Sequence, residues 1–268
     1  MTLLENHMPF FIVQQLFEMA FGMHRQDMPE LLELVCKFFK GVLSMEKLPE
    51  SAKKSEVKNF VHVIRLSFLP SVRKALDPNL KEMKFPSSAT ELVAVGVKLR
   101  RSDSNCLLDI EFKNGVLEIP VLALYDRTKS LIRNVIAFEQ CYPLDDSYLI
   151  DYMAFMEYLV DTPVDAKLLI DEGIIDNWLS NKESAVQLIK SFGMEAILPE
   201  NYYFNNLSHK LINHCQRPYN KWKATFKREY CSSPWVVIPV IATVVLLLLT
   251  VAQTMCSVLS LKTLLFKW

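Results

Sequence analysis

Four polar side chains interrupt an apolar helical run and are the first candidates for chemistry: Arg133, Asn134, Glu139 and Gln140. Together they could line a pocket, and Arg133, Glu139 and Gln140 are the residues a polar site would use. The competing reading is that they hydrogen-bond a sheet edge and fix how their helix docks, and it is favoured. Two pairs of adjacent acids, Asp145-Asp146 and Asp171-Glu172, invite a catalytic reading. Acid–base work needs carboxylates that converge across a cleft with their pKa values pushed apart. Neighbouring acids at helix ends more often cap the helix and complement its dipole, as do Asp161 and Asp165 around a helix start.

The histidines are His7, His24, His62, His209 and His214. The last two lie five apart, about 140° around a helix, so they do not share a face for a metal ion. No G-x-S-x-G elbow, P-loop, G-x-G-x-x-G or H-E-x-x-H occurs, which argues against the commonest hydrolases, nucleotide-binding enzymes and zinc proteases. No catalytic, cofactor-binding or metal-ligating residue is assigned, and no cofactor is expected. Trp178 and Trp222 are large apolar bodies whose default role is core or inter-helix packing.

The elements that must position these residues are mainly helical. Pro9 opens a run of Phe10, Phe11, Val13, Leu16, Phe17, Ala20 and Phe21, which Gly22 ends. Asp27 caps a second helix carrying Leu31, Leu34, Val35, Phe38 and Val42. A polar link over 50–54 leads to a helix from Val57 to Phe68. The period then alternates: Val93, Val95, Val97 and Leu99 read as one strand, and Leu108, Ile110 and Phe112 as another. Asn114-Gly115 supplies the two positive-φ positions of a tight hairpin, and Val116, Leu117 and Ile119 return from it. Helices resume over Thr128–Cys141 and Tyr148–Val160. Thr162-Pro163-Val164-Asp165 caps a short helix that Gly173 ends. Ser180 with Glu183 forms a capping box, and an aromatic-rich helix runs from Glu200 to His214.

The last part of the chain differs in kind. From Cys231 to Leu261 there is no charged residue, and the run exceeds the roughly 20 apolar residues that cross a hydrocarbon core. The expectation is a transmembrane anchor over 234–261, marked by Trp235, Ile238, Val245, Leu248 and Thr254, with a short tail over 262–268. All thirty acidic residues precede Cys231, and of the thirty basic ones only Lys262 and Lys267 follow it. The head over 1–230 is therefore nearly neutral, with no electrostatic footprint for nucleic acid. The juxtamembrane basic residues Lys221, Lys223, Lys227 and Arg228 put that head in the cytoplasm. Six cysteines without a C-x-x-C pair fit reduced thiols there.

Several long motifs, in order along the chain, resemble one family. Leu3-Leu-Glu-Asn-His-Met-Pro-Phe-Phe11 is similar to an L-L-E-N-Q-x-P-F-F signature. Leu108-Asp-Ile-Glu-Phe-Lys-Asn-Gly-Val-Leu-Glu-Ile-Pro120 resembles that family's hairpin, and Ser130-Leu-Ile-Arg-Asn-Val-Ile-Ala-Phe-Glu-Gln-Cys141 its R-N-L-I-A-x-E-Q helix. The family is the plant domain of unknown function 247. The resemblance implies a plant protein with a mostly helical head and a C-terminal membrane span, and no established activity. Some grass relatives are associated with pollen self-incompatibility, which points to recognition or signalling. Position 7 is His where the family has Gln. Relatives carry a further segment ahead of the signature, so the chain is expected to lack an N-terminal part.

These readings combine into a mainly α protein with a small antiparallel β-hairpin sheet (α+β) and one C-terminal transmembrane helix. Its expected role is a membrane-anchored protein-interaction or signalling module, with the lipid bilayer and a protein as partners and no nucleic acid. The alternatives are a membrane-bound enzyme of unfamiliar type using Arg133, Glu139 and Gln140, or a truncated, non-functional family member.

Overall fold

A computed structural model describes residues 8–21, 30–43, 57–70, 80, 82–142, 147–193, 201–217 and 234–265. The elements run α1 (Phe10–Phe21), α2 (Leu31–Leu43), α3 (Phe60–Ser67), α4 (Ala89–Ala94), β1 (Lys98–Arg101), β2 (Glu111–Lys113), β3 (Val116–Ile119), β4 (Leu122–Leu124), α5 (Asp126–Cys141), α6 (Tyr148–Leu159), α7 (Pro163–Asp171), β5 (Ile175–Asn177), α8 (Lys182–Gly193), α9 (Asn205–Gln216) and α10 (Pro234–Leu265). The chain divides into one compact unit of Met1–Val93 with Val97–Gln216, and a second of Ala94–Gly96 with Arg217–Trp268.

In the first unit, α6 is buried almost all round, with Tyr152, Met153, Phe155 and Met156 inaccessible. A helix that is apolar on every side must be enclosed, and α6 is, between α5 and α8. Helix α3 packs on α5, and α7 on α8. The expected helix start at Val57 moves to Phe60, because Asn59 Oδ1 accepts the His62 N–H (2.8 Å) and satisfies a first-turn donor. The cap expected at Ser180 falls to Asn181, whose Oδ1 accepts the Ser184 N–H (2.7 Å). Tyr202, Tyr203 and Phe204, expected inside a helix, lie buried in the turn before α9. Helix α1 buries only Phe10, whose N–H donates to the Lys58 carbonyl (2.8 Å). Its Phe11, Leu16 and Met19 are exposed. Asp27 and the 50–54 link lie outside the described residues.

The strands correct the expectation of a purely antiparallel hairpin sheet. The hairpin forms as read, with Asn114 at φ 52° and Gly115 at φ 78°, and Phe112 opposite Leu117. However, β1 joins the other edge of β3 in parallel, Lys98 opposite Val116 and Arg101 opposite Ile119. A second, two-stranded parallel sheet pairs β4 with β5. The sheets are mixed because β1 reaches β3 only after the chain has passed through the 102–110 loop and β2. Val93 lies in α4 and not in a strand. Short apolar alternations do not separate the two periods, and burial of Leu92 on a helix decides this one.

The larger correction concerns the C-terminus. The backbone is helical over Pro234–Leu265. Among the described residues no helix is long and apolar enough to cross a membrane. The expected transmembrane anchor over 234–261, and with it the single-pass location with a cytoplasmic head, is therefore not upheld. Of the residues that marked it, Ile238, Val245 and Leu248 are exposed, and Thr254 Oγ1 donates to the carbonyls of Thr250 (3.0 Å) and Val251 (2.8 Å) within the helix. The side chain of Trp235, and Lys221, Lys223, Lys227 and Arg228 entirely, lie outside the described residues.

Asp165 links two helices. Its Oδ2 accepts from Thr162 N–H (2.8 Å) and Thr162 Oγ1 (2.6 Å), while Oδ1 accepts from Thr90 N–H (2.8 Å) and Thr90 Oγ1 (2.7 Å). Burial works to raise its pKa, but the hydrogen bonds from Thr162 and Thr90 outweigh it and hold the carboxyl below its ordinary value. Asp165→Ala removes all four bonds and is expected to cost about 3 kcal/mol, against about 1 kcal/mol for Thr162→Ala. Urea denaturation checks both. The Asp165 contribution is present above the ordinary carboxylate pKa and is lost as pH falls below it.

Candidate functional site

The polar residues of α5 occupy three depths. Gln140 is exposed, Arg133 half-buried and Glu139 buried. Glu139 Oε1 accepts from Arg65 Nε of α3 at 3.0 Å. Its Oε2 accepts the backbone N–H groups of Leu149 (3.2 Å) and Ile150 (3.1 Å). Those are first-turn donors of α6, where a helix leaves N–H groups unpaired and presents partial positive charge. Burial pushes the Glu139 carboxyl above its ordinary value, while Arg65 and the two N–H groups pull it back. The carboxylate thus works as a three-helix fastener at this point, with its lone pairs directed at protein donors.

Beside it, His62 stacks on Phe138 with ring centroids 5.4 Å apart, and its Nδ1 accepts the Lys58 N–H (3.2 Å). Burial first, then the charges of Arg65 and Lys58, lower its pKa to about 4. His209 Nε2 lies 3.0 Å from the Glu82 carbonyl oxygen, while His214 sits edge-on to Phe112. Asp171 pairs with Lys167 one turn earlier (2.5 Å), and Asp161 with Lys190 (2.8 Å). Asp145, Asp146, His7, His24 and Trp222 lie outside the described residues.

A different set of residues converges. Strands β3 and β4 are separated by only Pro120 and Val121, so they form one path with a break in it. β1 lies along the first half and β5 along the second. Where β1 ends and β5 begins, a cleft of about 520 Å³ opens. That volume lies within the range of small-ligand sites. Its floor is Val121, Ala123 and Tyr125, which alternate with the buried Leu122 and Leu124. Residues 101–105 form one wall, and Gly173, Asp176 and Asn177 contribute to the other. Gly173 adopts φ +69°, and a Cβ there would sit 3.8 Å from Arg101 Cδ.

The lining is polar and carries both charges. Arg101 and Asp103 have no hydrogen-bond or ion-pair partner among the described residues. Asp176 accepts from the indole Nε1 of Trp178 (2.9 Å). That indole also stacks on Tyr125 with centroids 5.8 Å apart, and the Trp178 N–H donates to the Leu124 carbonyl (3.0 Å). Trp178 is nonetheless 66% exposed. It is a fixed aromatic surface at the rim, where core or inter-helix packing was expected from its type. Its immediate surroundings are partly polar: Asp176-Asn177 precede it, and Ser180-Asn181 follow Leu179. Arg101, Asp103 and Asp176 carried no signal, because their proximity depends on two strands meeting one path from separate parts of the chain.

Comparison with known proteins adds kinship without activity. The model of the DUF247 family, described as a plant protein of unknown function, matches residues 1–249. UPF0481 protein At3g47200 of Arabidopsis thaliana is 27% identical over 97% of this chain and 59% of its own length. A second Arabidopsis thaliana UPF0481 protein, At3g02645, is 23% identical over 68% of this chain and 35% of its own. The chain thus spans about three fifths and about one third of these relatives. No solved structure matches.

Two outcomes follow from the Glu139 cluster. Glu139→Ala leaves the Arg65 guanidinium buried without its carboxylate and should cost about 3–5 kcal/mol in chemical denaturation. For His62, the folded state resists the proton that the unfolded chain accepts, so stability falls as pH drops from 6.5 toward about 4. His62→Gln should lose less stability than the native chain between pH 7 and pH 4.5, measured as the shift in denaturation midpoint.

Proposed function

The chain belongs to the plant protein family DUF247, and on that premise we propose that it is a protein-recognition module whose binding surface is the cleft at the β3–β4 break with its Tyr125–Trp178 rim. The observation that carries this reading is Trp178 itself. A tryptophan left two-thirds exposed forgoes the burial its size would bring. Here three separate contacts, to Asp176, Tyr125 and Leu124, hold it in one orientation at the surface. An aromatic side chain already ordered before contact loses little conformational entropy on binding, and tryptophan is among the residues that dominate interface energetics. The adjoining cleft supplies unpaired charge of both signs, which favours selection of a partner by pattern over general adhesion.

The mixed charge also fits the nearly neutral composition of the chain, which favours neither nucleic acid nor a strongly acidic partner. A recognition role needs no catalytic motif, consistent with the absence of the commonest ones from the sequence.

Proximity labelling in plant cells tests the reading. The native chain and Trp178→Ala are each expressed as fusions at matched abundance. Loss of a defined set of neighbours in the variant, with its denaturation midpoint unchanged, is the expected result. Truncation of a central interface aromatic typically weakens a complex by about 2 kcal/mol or more, roughly 30-fold. Identical neighbour sets would remove Trp178 as the binding determinant.

A further inference from the structure

Resting on that recognition reading, we propose that the open edge of β4 takes an extended peptide segment carrying a single carboxylate, which adds as a strand along the line that β1 leaves.

The ladder fixes which backbone groups are available. Leu122 N–H donates to the Ile174 carbonyl (2.9 Å), and the Leu124 carbonyl accepts from Trp178 N–H (3.0 Å). In a parallel pair only alternate residues of a strand bond to a given neighbour. Leu122 and Leu124 therefore serve β5, and the N–H groups of Val121 and Ala123 are directed to the opposite side. Neither of these two N–H groups has a hydrogen-bond partner among the described residues.

That opposite side is the one β1 occupies a few residues earlier. Ser102 N–H donates to the Ile119 carbonyl (2.8 Å) as the last bond between β1 and the shared path. Ile119, Val121 and Ala123 alternate in step, so a strand continuing from β1 would meet Val121 and Ala123. The chain does not continue. Ser104 N–H bonds Ser102 Oγ (3.2 Å), Cys106 N–H bonds Ser104 Oγ (3.2 Å) and Ser104 Oγ donates to Asp109 (2.7 Å). These bonds curl residues 102–106 into a turn of their own, and the cleft lies between that turn and β4. A strand needs about 4.8 Å beside its neighbour, and β-addition to such an edge is a recurrent mode of peptide recognition in which main-chain bonds give affinity and flanking pockets give selectivity.

The flanks define the peptide. Arg101 stands at the Val121 end without a carboxylate partner among the described residues, which suits one acidic side chain or a terminal carboxylate. Asp103 and Asp176 line the same cleft and oppose a second acid. Tyr125 and Trp178 at the far end suit an apolar or aromatic residue.

The experiment pans the full chain against a library of seven-residue peptides displayed on phage. Retained peptides are synthesised with each backbone N–H methylated in turn, and binding is read by fluorescence polarisation. Methylation at every second residue is expected to weaken binding about tenfold, with the residues between changing less than about twofold. Arg101→Glu should weaken the acid-bearing peptides about tenfold or more. Ala123→Pro, which deletes one outward N–H, should weaken them similarly, and the methylation scan reads the same bonds without altering the chain. Retention of no peptide, a methylation profile without a two-residue period, or indifference to Arg101→Glu each overturns the proposal. If Trp178→Ala still loses its neighbours while the methylation profile is flat, recognition stands and strand addition does not.

Discussion

One buried carboxylate holds the helical half of the structure in register. Glu139 projects from α5, pairs with Arg65 of α3 and receives two N–H groups at the start of α6. Each partner would be costly to bury alone: a guanidinium without a counter-charge, a carboxylate without donors, a helix terminus without an acceptor. Together they satisfy one another. Because α6 is enclosed almost all round, fixing its first turn also fixes how α8 and the aromatic turn Tyr202–Phe204 pack against it. Asp151 repeats the device within α6, where its buried carboxylate accepts the Tyr203 N–H (2.8 Å).

The sheets obey a second constraint. A single path of chain, β3 followed by β4, serves two parallel partners that never overlap. Pro120, which has no N–H to donate, stands at the break, where a ladder bond is least missed. The arrangement joins elements distant in sequence, and among the described residues it leaves a short stretch of strand with a neighbouring strand on only one side. Natural sheets commonly protect such edges with charge, and Arg101 and Asp103 lie beside this one. The cleft is thus a consequence of topology, and the rim residues Tyr125 and Trp178 take their positions from the ends of β4 and β5.

Features governed by neighbours in the chain were legible. Asn114-Gly115 forms the turn that its positive φ angles demand. Thr162 and Asp165 form their capping box, and the spans of α5 and α6 lie within two residues of their apolar periods. Legibility failed where burial or long-range pairing decided. Val93 alternates with Val95 and Val97 as a strand would, yet it is helical. Ile175–Asn177 is too short to announce itself as a strand until β4 lies beside it. The apolar run after Pro234 is helical as read, but among the described residues no helix is long and apolar enough to cross a membrane. For α5, sequence could identify Arg133, Glu139 and Gln140 as polar interruptions and could not assign their depths.

Sequence by itself determined the mainly helical character, the hairpin, the caps and the kinship, because each rests on residue types at spacings of a few positions or on motifs read in order. Tertiary structure alone decided that β1 and β5 run parallel to one broken path, that Glu139 joins three helices, and that Trp178 stands in solvent beside a polar cleft. Those outcomes depend on which surfaces meet after folding. Contacts between segments tens of residues apart carry no periodic signature in either segment, since each supplies only half of the interaction.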